Sequence, residues 1–242
     1  LLPTEYDHMP GPPSLTGKTI LVAEDDPVNR QVARGLLAET GASVLAAEDG
    51  QAVLALFSND AAPPPVDLIL MDVQMPGLDG CETTRRLRAR PEYAELPIIA
   101  MTAAAMAKDR EASAAAGMND HIAKPIDPRE LADTLIRWVK PTTNDMRDRA
   151  NIAPCKHERP TEVSAEEIEM LERALPGISV HDSLVRMGGN SRLYRTLLHS
   201  FGQRHLTVAS QIAPMYQARR FDDLYMEAHS LKGEAGNIGA RA

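Results

Sequence analysis

The stretch LILMDVQMPGLDG, from Leu68 to Gly80, decides the fold of the first half of the chain. Four apolar residues lead directly into Asp72, and a turn through Met75-Pro76-Gly77 follows at once. A strand that ends in a carboxylate places that group at the carboxyl edge of a sheet, where open α/β folds bind their ligands. Asp72 alone would also fit an ordinary loop-capping residue, so the rest of the chain must decide between the two interpretations.

Short apolar runs alternate with helical patterns on both sides of this stretch. Several of the runs are continuously apolar, which is typical of parallel strands buried on both faces. The predicted strands are Thr19–Ala23, Ser43–Ala47, Leu68–Met71, Ile98–Met101 and His121–Ala123. The predicted helices are Pro27–Glu39, Gly50–Phe57, Gly80–Arg90, Met106–Ala116 and Pro128–Val139. This alternation predicts an α/β fold with a doubly wound, five-stranded parallel sheet.

The second half of the chain has helical periodicity only. It follows a polar segment without periodicity, from Pro141 to Pro160. Three amphipathic helices are predicted there, and the second of them carries apolar residues from Leu193 to Ile212. Their starts, each marked by a capping residue or by the onset of apolar spacing, lie at Ser164, Asn190 and Arg219. We expect an antiparallel helical bundle. We expect this bundle to be incomplete, because the apolar period of the third helix continues to Ile238 and the sequence stops within four residues, which leaves no further helix to cover it.

Composition and charge exclude several classes of protein. The 242 residues are 43% hydrophobic and 25% charged, as in soluble globular proteins. No apolar run approaches the roughly 20 residues of a membrane span, so no direct membrane contact is expected. Residues 17–140 hold 13 Lys and Arg against 19 Asp and Glu, and residues 141–242 hold 13 of each. Neither half has the basic excess of a nucleic-acid-binding surface. The two cysteines fit neither a disulfide framework nor a metal site, which indicates a cytoplasmic setting.

Carboxylates follow two of the predicted strands. Glu24, Asp25 and Asp26 close the first strand, and Asp72 closes the third. Because the carboxyl ends of parallel strands meet at one edge of the sheet, these side chains should converge, and like charges that close need a counter-ion. Mg²⁺ suits one or two carboxylates together with phosphate oxygens. The sequence therefore predicts a magnesium site at this edge.

Two further strand ends complete the candidate site. Thr102 closes the fourth predicted strand, and Lys124 closes the fifth. A carboxylate nucleophile, a metal, a hydroxyl and a lysine together supply the positioning and charge neutralisation that phosphoryl transfer requires. Singly, Thr102 would fit a helix cap and Lys124 a solvated surface charge. Their placement at successive strand ends favours a common site.

The segments LVAEDDPVNR, MDVQMPGLDG, AMTA and AKPI, within residues 17–140, resemble the signature blocks of response-regulator receiver domains. The resemblance implies a flavodoxin-like fold in which Asp72 accepts a phosphoryl group from a kinase histidine. It also implies a cis peptide bond between Lys124 and Pro125. The implied Mg²⁺ ligands are Glu24, Asp25, Asp72 and the backbone carbonyl of Gln74. Thr102 and Lys124 are implied to contact the phosphoryl oxygens. His121 departs from the aromatic residue that the family usually carries at that position.

The second informative stretch is EAHSLKGEAGNIGA, from Glu227 to Ala240. At 100° per residue, His229, Lys232, Gly233 and Gly236 share one side of a helix, away from its apolar stripe, so His229 should be exposed. Each glycine inside a helix costs about 1 kcal/mol relative to alanine, and access for a partner's active site would be a reason to accept that cost. Lys232 would stabilise a phosphoryl group on the ring. The simpler interpretation is a surface histidine without a function.

This stretch resembles the HSLKG signature of histidine-containing phosphotransfer domains, and LVRMGGNSRLYRTLLHSF resembles their earlier helices. The two resemblances together imply a bacterial two-component phosphorelay module, the C-terminal part of a hybrid sensor histidine kinase whose remainder includes any membrane anchor. Asp72 would then exchange a phosphoryl group with His229. The expected domains are a proline-rich linker at 1–16, a receiver domain at 17–140, a linker at 141–161 and a truncated phosphotransfer domain at 162–242.

The expected partners are an upstream histidine kinase domain and a downstream response regulator or phosphotransfer protein, and a homodimer is also open. One alternative is a response regulator whose C-terminal helices bind a partner without carrying phosphate. An aspartate-nucleophile phosphatase is a further alternative, but it would carry a second aspartate two residues after Asp72, where Gln74 stands. The chain is not expected to autophosphorylate from ATP, because it lacks an ATP-binding kinase core.

Overall fold

The computed structural model describes residues 13–58, 65–102, 107–139, 165–187, 189–206 and 208–240. Most of the predicted N-terminal linker, the whole predicted linker at 141–161 and the predicted helix cap at Ser164 lie outside these ranges. Within them, no helix is long and apolar enough to cross a membrane.

The first half folds into a five-stranded parallel sheet with the strand order β2-β1-β3-β4-β5. The strands are β1 Thr19–Ala23, β2 Ser43–Ala47, β3 Leu68–Asp72, β4 Ile98–Thr102 and β5 Asp120–Ala123. The flanking helices are α1 Pro27–Ala38, α2 Gly50–Phe57, α3 Gly80–Arg88, α4 Ala107–Ala115 and α5 Pro128–Trp138. The predicted doubly wound parallel sheet is confirmed. Asp72 and Thr102 belong to their strands, as Asp72 pairs with Met101 and Thr102 with Ala123.

The three central strands, β1, β3 and β4, are covered on both faces by helices, as their continuous apolar sequences predict. Alternate residues enter two separate hydrophobic clusters. Ile20, Val22 and Leu70 face one cluster, whereas Leu21 and Ile69 face the other. This firm packing holds the carboxyl ends of the strands at fixed positions along one edge.

Aspartates begin four of the five helices around the sheet. The side chains of Asp26, Asp49, Asp79 and Asp127 accept hydrogen bonds from backbone N–H groups in the first turns of α1, α2, α3 and α5. These N–H groups have no partner within their own helices, and a capping carboxylate satisfies them. Asp26, the residue before Pro27, is therefore the cap of α1.

The second half is helical, as predicted, but it contains five helices in the described ranges. They are α6 Ala165–Ala174, α7 Val180–Arg186, α8 Ser191–His205, α9 Val208–Gln217 and α10 Phe221–Ile238. The predicted second helix is too long. A helix ends at His205, and the predicted residues from Val208 onward belong to a separate helix, so the prediction covers both α8 and α9. Leu193 and Leu197 are buried, whereas Ile212 is largely exposed, so the apolar residues do not share one buried stripe.

Helix α7 was not predicted from the sequence, because its seven residues are too few to show a clear helical period. Its signal is a capping pair, in which the side chain of Ser179 accepts a hydrogen bond from the N–H of Asp182. The starts predicted at Asn190 and near Arg219 are confirmed within two residues. Large apolar side chains remain exposed at Leu206, Tyr216 and Phe221, and the closed or incomplete state of the bundle stays a prediction.

Helices α8 and α10 pack against α1 of the first half of the chain. Leu193 on α8 lies over Gly35, where a Cβ atom would come within 2.8 Å of its side chain. Buried residues of the second half, including Tyr194 and Ile238, belong to the same hydrophobic cluster as Ile20 and Val22 of β1. The two halves therefore share one core, which places α10 against the sheet edge that carries the acidic residues.

Candidate active site

The carboxyl edge of the sheet brings together Glu24, Asp25 and Asp72. One oxygen atom from each carboxylate lies within 4.8 Å of the other two. The parallel register of β1 with β3, in which Ala23 pairs with Met71, causes this convergence. Glu24 and Asp72 are buried, and Asp25 is partly exposed. The predicted convergence is confirmed for these three carboxylates but not for Asp26, whose side chain caps α1. The hard oxygen donors of the three are those that Mg²⁺ prefers.

Lys124 lies inside this cluster and is not the solvated surface charge that was considered for it. Its Nζ atom is 2.6 Å from Glu24 Oε2 and 2.6 Å from Asp72 Oδ2, and its side chain is 5% exposed. Burial alone would lower the pKa of Lys124, but the charges of Glu24 and Asp72 raise it above its ordinary value. Lys124 therefore remains a cation and neutralises part of the charge of the acidic cluster.

The remaining carboxylates respond to the same crowding. Burial is the main cause that raises the pKa of Glu24, and Lys124 partly offsets it. Burial also raises the pKa of Asp25, and the charge of Asp72 adds to the effect. A divalent cation among these groups would favour their ionised forms, which is the response expected of a metal site.

Thr102, the last residue of β4, places its hydroxyl group at the same edge of the sheet. Its side chain is buried, and Oγ1 has no hydrogen-bond partner among the residues that the structure describes. A buried hydroxyl without a partner is unusual in proteins, and a bound ligand is one explanation. The backbone carbonyl of Thr102 accepts a hydrogen bond of 2.6 Å from the N–H of Lys124, which fixes the two residues relative to each other. The peptide bond between Lys124 and Pro125 is cis, as predicted.

The turn after Asp72 positions its carboxylate. The N–H of Gln74 donates a hydrogen bond of 3.0 Å to Asp72 Oδ1, while Lys124 binds Oδ2. Gly80, the last residue of the stretch that decides the fold, begins α3 directly against β3. A Cβ atom at Gly80 would collide with the carbonyl oxygen of Asp72, so only glycine fits there.

Helix α10 lies against this edge and brings His229 to it. The hydroxyl of Tyr225, one turn before His229, accepts a hydrogen bond of 3.1 Å from Gln74 Nε2. His229 is half-buried, less exposed than predicted, because α10 lies against the first half of the chain there. Burial lowers the pKa of His229; the charge of Asp72 works against this, and the cations Lys124 and Lys232 add to it.

The two glycines near His229 lie where α10 comes close to the first half of the chain, and their expected role in giving a partner's active site access to His229 stays a prediction. A Cβ atom at Gly233 would lie 3.1 Å from Asn29 Nδ2, and one at Gly236 would lie 3.5 Å from Pro125. Both glycines therefore face the receiver half, and they let the backbone of α10 approach it closely. The predicted grouping of these glycines on one face with His229 agrees with these contacts.

A polar cluster that no sequence pattern predicted joins the two halves beside this site. Asp26 Oδ2 is 2.6 Å from Arg204 Nη1 on α8 and 2.6 Å from Ser230 Oγ on α10. The buried side chain of Glu234 lies 3.0 Å from the same Arg204 nitrogen and 2.8 Å from His205 Nε2. The only signal in the sequence was the third acidic residue of the EDD run, which capping alone explained.

Protonation is shared unequally between the two acids of this cluster. Burial is the main cause that raises the pKa of Glu234 to about 8, and the neighbouring Asp26 adds to it. Burial opposes ionisation of Asp26 as well, but hydrogen bonds from Glu234 and Ser230 hold the pKa of Asp26 below its ordinary value. Near neutral pH, Glu234 is therefore the proton donor and Asp26 the charged acceptor.

Comparison with known proteins agrees with this geometry. Residues 20–136 match the family model described as Response regulator receiver domain. The sensor protein GacS of Pseudomonas syringae pv. syringae is 39% identical over 133 residues, which cover 53% of this chain and 14% of that protein. An uncharacterised 14.6 kDa protein of Leptolyngbya boryana is 39% identical over 118 residues, which cover 49% of this chain and 87% of that protein.

Among solved structures, the receiver domain of the sensor histidine kinase PA1611 from Pseudomonas aeruginosa is 42% identical. The match covers 51% of this chain and 98% of that domain, with a TM-score of 0.46. That crystal structure holds a magnesium ion in its active site cleft. This chain spans about one-seventh of the length of the sensor kinases that it matches. Through its residues 20–136, the chain belongs to the response regulator receiver domain family.

Proposed function

We propose that this chain is a two-component phosphorelay module in which Asp72 and His229 exchange a phosphoryl group. The observation that carries the proposal is that the helix of His229 lies against the edge of the sheet that holds Asp72: Gln74 donates a hydrogen bond to Tyr225, one turn before His229, and a Cβ atom at Gly236 would lie 3.5 Å from Pro125. The proposal includes a receiver domain at 17–140 and a phosphotransfer domain at 162–242, with linkers at 1–16 and 141–161.

Asp72 is the proposed phosphoryl acceptor because its carboxylate is fixed and faces the groups that the reaction needs. Gln74 N–H holds one oxygen, and Lys124 holds the other. Lys124 and the unpartnered hydroxyl of Thr102 are suited to contact the phosphoryl oxygens. The clustered carboxylate oxygens fit a hard divalent cation. The proposed Mg²⁺ ligands are Glu24, Asp25, Asp72 and the backbone carbonyl of Gln74.

A bound Mg²⁺ would neutralise charge on the phosphoryl oxygens. In the transfer to His229, the lone pair of a ring nitrogen forms the N–P bond as the P–O bond to Asp72 breaks. The bonding electron pair returns to the Asp72 carboxylate, and the ring releases its remaining N–H proton to water. The reverse step loads Asp72 from phosphohistidine. The lowered pKa of His229 keeps the lone pair available at neutral pH, and Lys232 is placed to stabilise the phosphoryl group on the ring.

The receiver relatives of this chain are parts of sensor kinases, which supports a hybrid histidine kinase as the parent protein. In that setting an upstream kinase histidine would load Asp72, and a downstream response regulator or phosphotransfer protein would take the group from His229. A cytoplasmic location follows for this part of the parent.

Acetyl phosphate with Mg²⁺ provides the test, because it loads aspartates without a kinase. The wild-type chain should acquire an alkali-labile aspartyl phosphate on Asp72 and an acid-labile, alkali-stable adduct on His229, both mapped by mass spectrometry. Asp72→Asn should acquire neither adduct, and His229→Gln should keep the aspartyl adduct alone. His199→Gln, which alters an exposed histidine on α8, is the matched control and should behave as wild type.

Two results would contradict the proposal. An unchanged adduct on the Asp72→Asn chain would remove Asp72 as acceptor. Loading of Asp72 with no phosphohistidine at His229 would leave a receiver whose C-terminal helices only bind a partner.

A further inference from the structure

Asp26 uses its two carboxylate oxygens for different tasks. Oδ1 accepts hydrogen bonds of 2.8 and 2.9 Å from the N–H groups of Val28 and Asn29, and so caps α1. Oδ2 points the other way and accepts hydrogen bonds of 2.6 Å from Arg204 and 2.6 Å from Ser230. Capping needs only one oxygen, so the second is available to bind the C-terminal helices.

We propose that Asp26, Arg204 and Ser230 form a docking lock that selects the C-terminal helices of the same chain as the partner of Asp72. Asp26 is a specificity-determining and positioning residue in this proposal, and it does not touch the transferred group. The inference rests on the proposed exchange between Asp72 and His229, and it names the partner of that exchange.

The position of Ser230 explains how the lock would place the histidine. Ser230 directly follows His229, so a hydrogen bond from Ser230 to Asp26 restrains the rotation of α10 about its axis and its shift along that axis, and both determine where the His229 ring lies. Glu234 and Asn237 lie four and seven residues after Ser230, on the same face of the helix. Glu234 is buried beside Arg204 and His205 of α8, and Asn237 is buried against Asn29 of α1. The lock therefore fixes α10 through the face next to the one that carries His229.

Desolvation gives the lock its selectivity. Asp26 is 2% exposed beneath α8 and α10. A docked helix without a suitable cation and hydroxyl would bury the charged Oδ2 without partners, which is strongly unfavourable. Arg204 and Ser230 supply these two donors from two different helices. Selection by an unpaired buried charge is an established way in which proteins reject wrong partners.

The substitution Asp26→Asn separates the two tasks of the residue. Asparagine caps helices as well as aspartate does, so α1 keeps its cap. The Oδ2 charge, however, is replaced by an NH₂ group, which faces the donors of Arg204 and Ser230. The matched control is Thr196→Ala, which removes an α8 hydroxyl that binds only within its own helix, to the carbonyl of Arg192.

The experiment follows transfer from acetyl-phosphate-loaded Asp72 to His229 in the whole chain, at two protein concentrations tenfold apart. The wild-type and Thr196→Ala chains should give the same first-order rate at both concentrations, as an intramolecular step requires. Asp26→Asn and Ser230→Ala should each slow the transfer at least tenfold, while Asp72 loads within twofold of wild type. The double variant should be no slower than the slower single variant, because each removes the same bond.

Three outcomes overturn the inference. A wild-type rate that rises with protein concentration makes a second copy the partner. Independent, multiplicative effects of Asp26→Asn and Ser230→Ala show that the two residues do not act through one another. Transfer at the wild-type rate in Asp26→Asn shows that the lock is not needed. A wild-type chain that loads Asp72 but never labels His229 removes the proposed exchange itself, and the two failures are thus distinguished.

Discussion

The side-chain amide of Asn237 on α10 donates a hydrogen bond of 2.7 Å to the side-chain oxygen of Asn29 on α1, 208 residues earlier. The amide of Asn29 donates in turn to Glu24 Oε1 at 3.3 Å. A continuous chain of hydrogen bonds thus joins the helix of His229 to a carboxylate of the acidic cluster. The position of α10 and the surroundings of Glu24 are therefore linked.

Replacing Asn237 with alanine should loosen α10. The change leaves the buried side-chain oxygen of Asn29 without its donor, and such a loss typically costs about 1–3 kcal/mol. We expect the free energy of unfolding of the C-terminal helices to fall by that amount, measured by urea unfolding and circular dichroism. Thr196→Ala, whose hydroxyl binds only within α8, should change it far less, and an equal loss in both variants would refute the role of this contact.

Two glycine-to-alanine substitutions should differ in their effect on the melting temperature. Gly202 lies on the exposed side of α8, and a Cβ atom there meets nothing within 4 Å. Gly202→Ala should therefore raise the melting temperature, because alanine is favoured over glycine in helices by up to about 1 kcal/mol. Gly233→Ala places its Cβ atom 3.1 Å from Asn29 Nδ2, an atom already held by Glu24. It should give no such gain and should slow labelling of His229; a gain equal to that of Gly202→Ala would show that α10 does not rest on α1.

Removing the buried cation should make the receiver half depend on magnesium. Lys124→Met leaves Glu24 and Asp72 buried without their shared partner, and breaking a buried ion pair commonly costs about 3–5 kcal/mol. We expect a large fall in melting temperature that millimolar Mg²⁺ partly reverses, because the metal supplies the missing charge. Lys18→Met breaks the more exposed ion pair with Asp67 and serves as the control. Its melting temperature should respond to Mg²⁺ as wild type does, and an absent Mg²⁺ response in Lys124→Met would contradict the metal site.

Stability should depend on pH through Glu234. Its pKa is raised from the model-peptide value of 4.5 to about 8, so between these values the folded protein binds more protons than the unfolded chain. The stabilisation is fully present below pH 4.5 and is lost as the pH rises toward 8. Glu234→Gln remains neutral throughout, so its free energy of unfolding should fall less between pH 5 and pH 8. The pKa of Glu24 is also raised, but Glu24 is present in both the wild-type and the Glu234→Gln proteins. The difference between their pH profiles of unfolding free energy therefore reports on Glu234. Parallel profiles would rule out the raised pKa of Glu234.

Much of the fold and of the acidic site follows from local sequence. Continuous apolar runs predict buried parallel strands, and the carboxyl ends of such strands must share one edge. Asp72, Thr102 and Lys124 each close a strand, so their convergence needs no knowledge of side-chain packing. The burial of Lys124 between two carboxylates exceeds what the sequence implies, because spacing indicates an edge but not the depth of a side chain within it.

Local sequence patterns are enough to predict the five-stranded sheet, the acidic edge and the helical character of the second half. The face of α10 that meets the receiver half is set by tertiary packing, and so are the partial burial of His229 and the contacts of Asp26 with Arg204 and Ser230. Helical periodicity specifies which residues share a face, but the partner of that face depends on contacts between residues more than 200 positions apart. Such contacts arise from shape and charge complementarity between whole elements, and no local pattern encodes them.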